Sequence, residues 1–286
     1  MEVKNILLSV VVVSWNTKQQ TTECISSFYS IDDYNFLKDR CELILIDNDS
    51  KDGTCDEIKK NYPQVILIEN SENKGYAPAC NQGMRTATGK YILLLGSDTV
   101  LKNDSLINCI EYLETHPECG AAGCRLLYPD GRLQGNCKTF PSLKNAFFTY
   151  LSLDRLNYDY DMLWFNYDKT IEVDQIATTY LMMESGLVRK INYFDESYRI
   201  MYNDVDLCKR IKDTGKMIVF IHTAEIYHHG SYSTRKADYK VRKQMYSDIF
   251  SYYRRNFHGK AYFLLPVLRS KPVQPAFPKA IHSLLL

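Results

Sequence analysis

The chain has 286 residues, 45% hydrophobic and 24% charged, a soluble globular composition with apolar material for one large α/β domain or two smaller ones. Its net charge of +1 hides an asymmetry: residues 235–286 carry eleven Lys and Arg against Asp238 and Asp248, a local +9 against −8 for residues 1–234. An acidic body disfavours a nucleic-acid binder, and no run reaches the roughly 20 apolar residues that span a bilayer, so any membrane contact would be peripheral.

The first hundred residues alternate strand and helix. Residues 7–14, apolar and β-branched, read as a buried first strand. Lys4 and the run behind it resemble a signal peptide, but Ser14-Trp15-Asn16-Thr17-Lys18 offers no small-residue cleavage site. A helix over 17 to about 30 follows, with Cys24, Ile25 and Phe28 inward. Residues 41–47 form a second strand, 52–62 a helix stopped by Pro63, 65–69 a third strand, 77–88 a helix closed by Gly89, and 91–95 a fourth strand. This alternation predicts βαβ units and a parallel sheet.

The next helix runs from about Asn103, and beyond Cys119 the pattern changes. Tyr128-Pro129-Asp130-Gly131-Arg132 has hairpin-loop chemistry, whereas 143–169 is rich in Phe, Tyr and Leu without an assignable period. Residues 178–184 read as a strand, 204–214 as a helix ending before Gly215, 217–221 as a strand and 237 to about 256 as a basic helix. The tail, with Pro266, Pro272, Pro275 and Pro278, resists regular structure. There is no internal repeat. The expected organisation is one α/β domain over 1–235, halved at about residue 100, and a basic helical extension over 236–286.

Nine cysteines, an odd count without a C-x-x-C pair, indicate neither a zinc ribbon nor a thioredoxin-type motif, and fit a reducing cytoplasm. The polar residues that carry chemistry sit at strand ends. The run Tyr91-Ile92-Leu93-Leu94-Leu95 stops in Gly96-Ser97-Asp98-Thr99, and ligands of open α/β sheets bind just beyond such carboxyl ends. Three further ends finish in Ser14-Trp15-Asn16-Thr17, in Asp47-Asn48-Asp49-Ser50 followed by Asp52-Gly53-Thr54, and in Asn73-Lys74-Gly75-Tyr76 leading to Asn81. Converging on one edge, these suit a nucleotide: Asp47 can accept the N–H of a pyrimidine base, Asn73 and Asn81 can bond base or ribose, and Asp98 can hold a divalent cation against a diphosphate. The competing reading makes them turn and N-cap residues, which is favoured for Asp52. Asp204 and Asp206 open a helix, where acids are favourable in any case, yet could supply a base near a sugar hydroxyl. His228-His229, between an apolar strand and a Gly/Ser loop, suggest a metal or diphosphate contact.

Common nucleotide signatures are missing. No G-x-G-x-x-G follows the first strand, and the stretch from Gly83 to Tyr91 departs from a P-loop in glycine spacing and context. Instead, Val12-Val13-Ser14-Trp15-Asn16, Ile46-Asp47-Asn48-Asp49-Ser50-Lys51-Asp52-Gly53, Asn73-Lys74-Gly75-Tyr76 with Asn81-Gln82-Gly83, Leu94-Leu95-Gly96-Ser97-Asp98-Thr99, Asn203-Asp204-Val205-Asp206-Leu207-Cys208 and His228-His229 occur in order across residues 7–235. This ordered set resembles family 2 glycosyltransferases of the GT-A fold, especially rhamnosyltransferase-like bacterial members.

The resemblance implies a mostly parallel nucleotide-binding sheet flanked by helices, with 1–100 as the nucleotide half and 101–235 as the acceptor half. It implies donor contacts from Ser14, Asn16, Asp47, Asp49, Asn73, Gly75, Asn81, Ser97 and Asp98, with Asp47 reading the base and Asn81 seating the nucleotide. Asp98 would be the metal-binding acid of a D-x-D-type motif, His228 a further metal or diphosphate ligand, and Asp204 the catalytic base. The cofactor would be Mg²⁺ or Mn²⁺. Two departures stand out: Gly96-Ser97-Asp98 keeps only the last carboxylate of D-x-D, and Asn203-Asp204 replaces the usual Glu-Asp.

The implied reaction moves a sugar, with inversion, from a nucleoside-diphosphate sugar such as dTDP-rhamnose or a UDP-hexose to a hydroxyl of a glycan or polyprenyl-diphosphate-linked acceptor. The expected location is the cytoplasm, at the inner membrane face if the basic segment, with Tyr252, Tyr253, Phe257 and residues 262–265 interleaved, meets anionic lipid. A solvated helix face is the competing reading of that segment. A sugar-nucleotide or glycan-binding module with impaired catalysis is the alternative to an enzyme, and a nucleotidyltransferase would want a Gly-rich loop after the first strand.

Overall fold

The computed structural model describes residues 5–150, 153, 156–230 and 239–257. Its first half is strand β1 (Leu8–Ser14), helices α1 (Lys18–Ser30) and α2 (Asp32–Leu37), β2 (Cys41–Asp47), α3 (Thr54–Asn61), β3 (Ile66–Glu69), α4 (Tyr76–Thr86) and β4 (Tyr91–Gly96). These strands are parallel, in the order β3-β2-β1-β4. The apolar runs lack alternation because both sheet faces are covered. Val10, Val12, Leu93 and Leu95 pack with Cys24, Ile25 and Phe28 of α1, while Val11, Ile44, Ile46 and Leu94 pack with Ala79, Cys80 and Met84 of α4. Ser14 pairs with Asp47 and Val13 with Gly96, so three strands finish at one level and deliver their polar ends to one rim.

The second half comprises β5 (Thr99–Leu101), α5 (Ile107–Thr115), β6 (Cys119–Leu127), β7 (Leu133–Gln134), β8 (Cys137–Lys138), α6 (Leu143–Tyr150), β9 (Ile171–Val173), β10 (Gln175–Ile176), β11 (Tyr180–Glu184), α7 (Ser185–Lys190), α8 (Asn203–Asp213) and β12 (Met217–His228). The sheet continues β4-β11-β6-β12-β5, and β11 is antiparallel to both neighbours, which restores the direction of β4 in β6 and β12.

Several elements differ from expectation. The helix expected from Asn103 starts at Ile107, because the buried Asp33 carboxylate takes the N–H groups of Asp104, Leu106 and Ile107 at 2.7, 2.7 and 3.0 Å. β6 is unannounced in the sequence because small residues build it. A Cβ on Gly123 would lie 2.2 Å from Ile176 Cδ1, and one on Gly120 would lie 2.5 Å from Leu187 Cδ2. β12 does not stop at Ile221: a register shift before Glu225 carries it on to His228. The Tyr128–Arg132 turn is the expected hairpin loop between β6 and β7, with Gly131 at φ +83°.

The basic helix is α9 (Tyr239–Phe257). One face is core rather than solvated surface: Met245, Asp248, Tyr252 and Tyr253 are buried, and both tyrosines pack with Ala146, Tyr198 and Val205. Lys243, Arg254 and Arg255 remain exposed. Tyr252 and Tyr253 are therefore closed to the lipid contact expected of them. Residues 262–265 and the proline-rich tail lie outside the described residues. All nine cysteines are free thiols, seven of them buried. No helix among the described residues is long and apolar enough to cross a membrane.

Candidate active site

Asp47 ends β2 at 2% exposure. Its Oδ2 accepts the Ser50 N–H at 2.8 Å, whereas Oδ1 has no hydrogen bond among the described residues. An open buried acceptor costs about 1–3 kcal/mol, so this atom can take a further N–H. Asn16 and Asp49, both in left-handed backbone at φ +52° and +69°, flank it. Asn16 donates its N–H to Ser50 Oγ at 2.8 Å and accepts that of Lys51 at 2.7 Å, while Asp49 pairs with Lys51.

Beside this lies the turn into α4. Gly75 takes φ +90°, a conformation that L side chains rarely adopt, and a Cβ there would lie 3.7 Å from the Arg199 carbonyl. Asn48, singled out by no sequence argument as a site residue, is the hub of this turn. It donates to Asn73 Oδ1 at 2.8 Å and the Gly75 carbonyl at 3.3 Å, and accepts from Asn70 at 3.1 Å and the Lys74 N–H at 3.0 Å. Asn73 thus closes the loop with its carbonyl oxygen, which also takes the Gly75 N–H at 2.9 Å.

Two residues expected at the donor have their side chains bonded within the protein. Ser14 is wholly buried, its hydroxyl bonded within a cluster of Thr17 and Thr21 at 3.2 and 2.9 Å. Asn81 is wholly buried as well. It donates to the Phe194 carbonyl at 3.0 Å and Glu196 at 2.8 Å and accepts the Phe194 N–H at 3.0 Å. The residue types suit a nucleotide, but both side chains tie elements of the fold together.

At the end of β4, Asp98 meets His228. β12 pairs with β5 through His228 and Thr99, and the His229 N–H bonds the Asp98 carbonyl at 3.0 Å. This pairing sets His228 Nε2 3.3 Å from Asp98 Oδ1, with both side chains largely buried. Burial pushes the Asp98 carboxyl up, but the neighbouring imidazole outweighs it and holds the group below its ordinary value. His228 Nδ1 lies 2.7 Å from Gln134 Oε1, an atom that can only accept, so Nδ1 carries the hydrogen.

Without a proton on Nε2, that atom would set a lone pair beside a carboxylate oxygen, and a cation could take the proton's place. A separation of 3.3 Å suits neighbouring ligands of one Mg²⁺ or Mn²⁺ at about 2.1 Å from each, so the pair fits a divalent cation. No group of three His, Cys, Asp or Glu able to hold a metal occurs among the described residues. The glycine in the D-x-D-type motif has a steric reason: a Cβ on Gly96 would lie 3.2 Å from Asp98 Oδ1. Ser97 sits beside them, 3.4 Å from the Thr17 hydroxyl. His229 turns instead towards Glu23, at 3.4 Å.

Asp204 occupies the first turn of α8, where the helix end favours negative charge. Asn203 Oδ1 accepts its N–H at 2.8 Å, and its own Oδ1 accepts the Val205 N–H at 2.8 Å. Burial pushes its carboxyl above the ordinary value, opposed by those N–H groups and by the charge of Lys138. Lys138, from β8, is ion-paired with Asp161, 5.0 Å from the centre of the Tyr160 ring, and burial lowers its own pKa. Burial raises the Asp206 carboxyl as well, but Arg210 occupies it at 2.7 Å. The Tyr76 hydroxyl, on the first residue of α4, lies 3.3 Å from Thr178, and the Thr179 carbonyl next to it accepts the Gly96 N–H at 2.9 Å. Nothing in the sequence marked Lys138, Asp161 or Gln134, each remote from the residue it acts on.

Comparison with known proteins gives the chain a family. The family described as Glycosyl transferase family 2 matches residues 9–175. The N-acetylglucosaminyl-diphospho-decaprenol L-rhamnosyltransferase of Mycobacterium tuberculosis is 24% identical over 217 residues, 67% of each chain. The minor teichoic acid biosynthesis protein GgaB of Bacillus subtilis is 27% identical over 132 residues, 45% of this chain and 14% of that protein. Among solved structures, the mannosyltransferase PcManGT of Pyrobaculum calidifontis, in complex with GDP-Man and Mn²⁺, superposes with a TM-score of 0.61 at 16% identity, over 98% of this chain and 69% of that one. TarS 1–349 of S. aureus, in complex with UDP, gives 0.57 at 16% identity, over 86% and 66%.

Proposed function

Since the chain belongs to glycosyltransferase family 2, in its rhamnosyltransferase-like branch and with the GT-A fold, we propose that it transfers a sugar with inversion from a nucleoside-diphosphate donor to an acceptor hydroxyl. Glycosyltransfer itself is the activity of the family. The donor, of dTDP-rhamnose or UDP-hexose type, and the acceptor, a cell-surface glycan or a polyprenyl-diphosphate-linked glycan at an anionic membrane, are suggested by what the relatives' names describe.

The observation that carries the reading is the Asp98–His228 pair, with Oδ1 and Nε2 3.3 Å apart at the strand end level with that of Asp47. Asp47 Oδ1 takes the base N–H, while Asn16, Asp49, Gly75 and Ser97 line the approach of the donor. Asp98 and His228 would hold a divalent cation, which neutralises charge on the departing diphosphate. Asp204 accepts the acceptor's hydroxyl proton as that oxygen bonds the anomeric carbon; the bond from this carbon to the diphosphate breaks, and the nucleoside diphosphate leaves. No enzyme nucleophile is required. A carboxyl raised by burial suits proton abstraction, since a general base works best with a pKa close to the working pH.

The experiment is a thermal-shift screen of UDP-, dTDP- and GDP-sugars with and without Mn²⁺, followed by transfer and hydrolysis assays with the best donor. Metal-dependent stabilisation by one donor, followed by its turnover, is expected. Stabilisation without turnover would favour the impaired binding module. Absence of any metal-linked donor effect would overturn the assignment of Asp98 and His228.

A further inference from the structure

We propose that α9 is a positioning element for the catalytic base, acting through Asp248, whose carboxylate holds the loop that leads into Asp204; this rests on Asp204 being the base. Asp248 is 1% exposed, although it lies in a helix whose other charged residues with described side chains are bases. Its Oδ2 accepts the N–H groups of Ile200 and Met201 at 2.8 and 3.0 Å, and its Oδ1 accepts from Gln244 at 2.7 Å. Those two amides immediately precede Tyr202, which stands at φ +64° and ψ 4° and starts α8 with a carbonyl bonded by the Asp206 N–H at 2.9 Å. A bulky aromatic residue leaves that backbone region unless its neighbours hold it there.

The neighbours come from α9. The Tyr202 ring packs on Tyr252 and Tyr253, with centroids 4.9 and 6.0 Å away. Farther up the same loop, Arg255 pairs with Asp195, its guanidinium 5.2 Å from the centre of the Tyr198 ring. Asn81 fixes the other end of the loop through Phe194 and Glu196. Between these two anchors the Arg199 carbonyl lies against the Gly75 turn. The loop thus has one edge at the donor side and its end at Asp204. Releasing it at Ile200 and Met201 would let Tyr202 relax and turn the first residues of α8 away from the acceptor.

The test uses the full chain, with the donor selected by the screen as probe. Asp248→Ala is expected to lower kcat for transfer by about 10²-fold, the cost of misplacing a reacting group by an ångström, while donor affinity stays within about twofold. Asp248→Asn is expected to rescue turnover, because its amide oxygen can accept both N–H groups and the Gln244 amide can turn to receive its NH₂. A structural role alone would instead lower the melting temperature and change kcat and donor affinity together, without rescue. Arg255→Ala provides a second variant at an exposed position, with a smaller kcat loss and unchanged donor affinity expected.

Full kcat in both Asp248→Ala and Arg255→Ala would overturn the proposal while leaving the base assignment intact. Full kcat in Asp204→Asn would overturn that assignment, and the proposal with it, whatever Asp248 does. In Asp204→Asn, adding Asp248→Ala should cost no further rate.

Discussion

Between β1 and α4, polar side chains bond one another. Ser14 joins Thr17 and Thr21, Asn48 gathers Asn70, Asn73, Lys74 and Gly75, and Asn81 bridges to Phe194 and Glu196. Around α8 the opposite holds. Asp204 is raised by burial, Asn203 Nδ2 is buried without a partner among the described residues, and Lys138 is a buried cation whose pKa burial lowers. The first region is a largely self-bonded scaffold, with Asp47 Oδ1 and Thr22 Oγ1 buried without a partner among the described residues; the second holds its charges under tension. Shape recognition favours the former and proton transfer the latter, since a base must differ from an ordinary surface carboxylate to work near neutral pH.

Asp204→Asn is the strongest way to break this contrast. It should lower kcat by roughly 10²–10⁴-fold and leave donor affinity within a few-fold, read by steady-state transfer and calorimetric titration of the donor. An equal loss of donor affinity would mean that the α8 region binds rather than reacts. Next in size is the metal pair. Asp98→Ala or His228→Ala should weaken Mn²⁺-dependent nucleotide binding by about 10- to 100-fold, and a chelator should do the same to the unaltered protein. Metal-independent binding in all three cases would detach Asp98 and His228 from the diphosphate.

On the scaffold side, Asn48→Ala should act on stability. It removes two donated and two accepted hydrogen bonds and leaves Lys74 N–H and Asn73 Oδ1 short of partners, for a loss of about 1–3 kcal/mol in denaturant unfolding. Turnover at saturating donor should change little. A large fall in kcat with unaltered stability would make Asn48 part of the chemistry and erase the distinction between the two regions.

The same contrast explains what the sequence revealed. β1, β2 and β4 were legible because burial on both faces demands uninterrupted apolar runs, and parallel pairing then forces Ser14, Asp47 and Gly96 to one rim. β6 was not legible because Gly120 and Gly123 are there for lack of space rather than for strand propensity. Asp47, Asp98 and His228 stood out as polar residues at the ends of apolar runs. Ser14 and Asn81 gave the same kind of signal, and their side chains bond other elements of the fold. Asp248 and Gln134 gave no signal, because what each orients lies 47 or more residues away along the chain.

The smallest effect isolates the charge that tunes the base. Lys138 opposes the burial of Asp204, so its charge pulls the Asp204 pKa down from where burial alone would set it. Lys138→Gln removes that charge and keeps a hydrogen-bond donor for Asp161. Asp204 must be ionised to take a proton, so kcat rises with pH through its pKa, and a higher pKa moves that acid limb to higher pH. The expected shift is at most about one unit, with a few-fold loss of rate below the limb and none above it. A pH–rate profile of both proteins measures it. An unmoved limb would show that Lys138 serves Asp161 alone, and that the charge on the α8 side is structural, like the amides on the other.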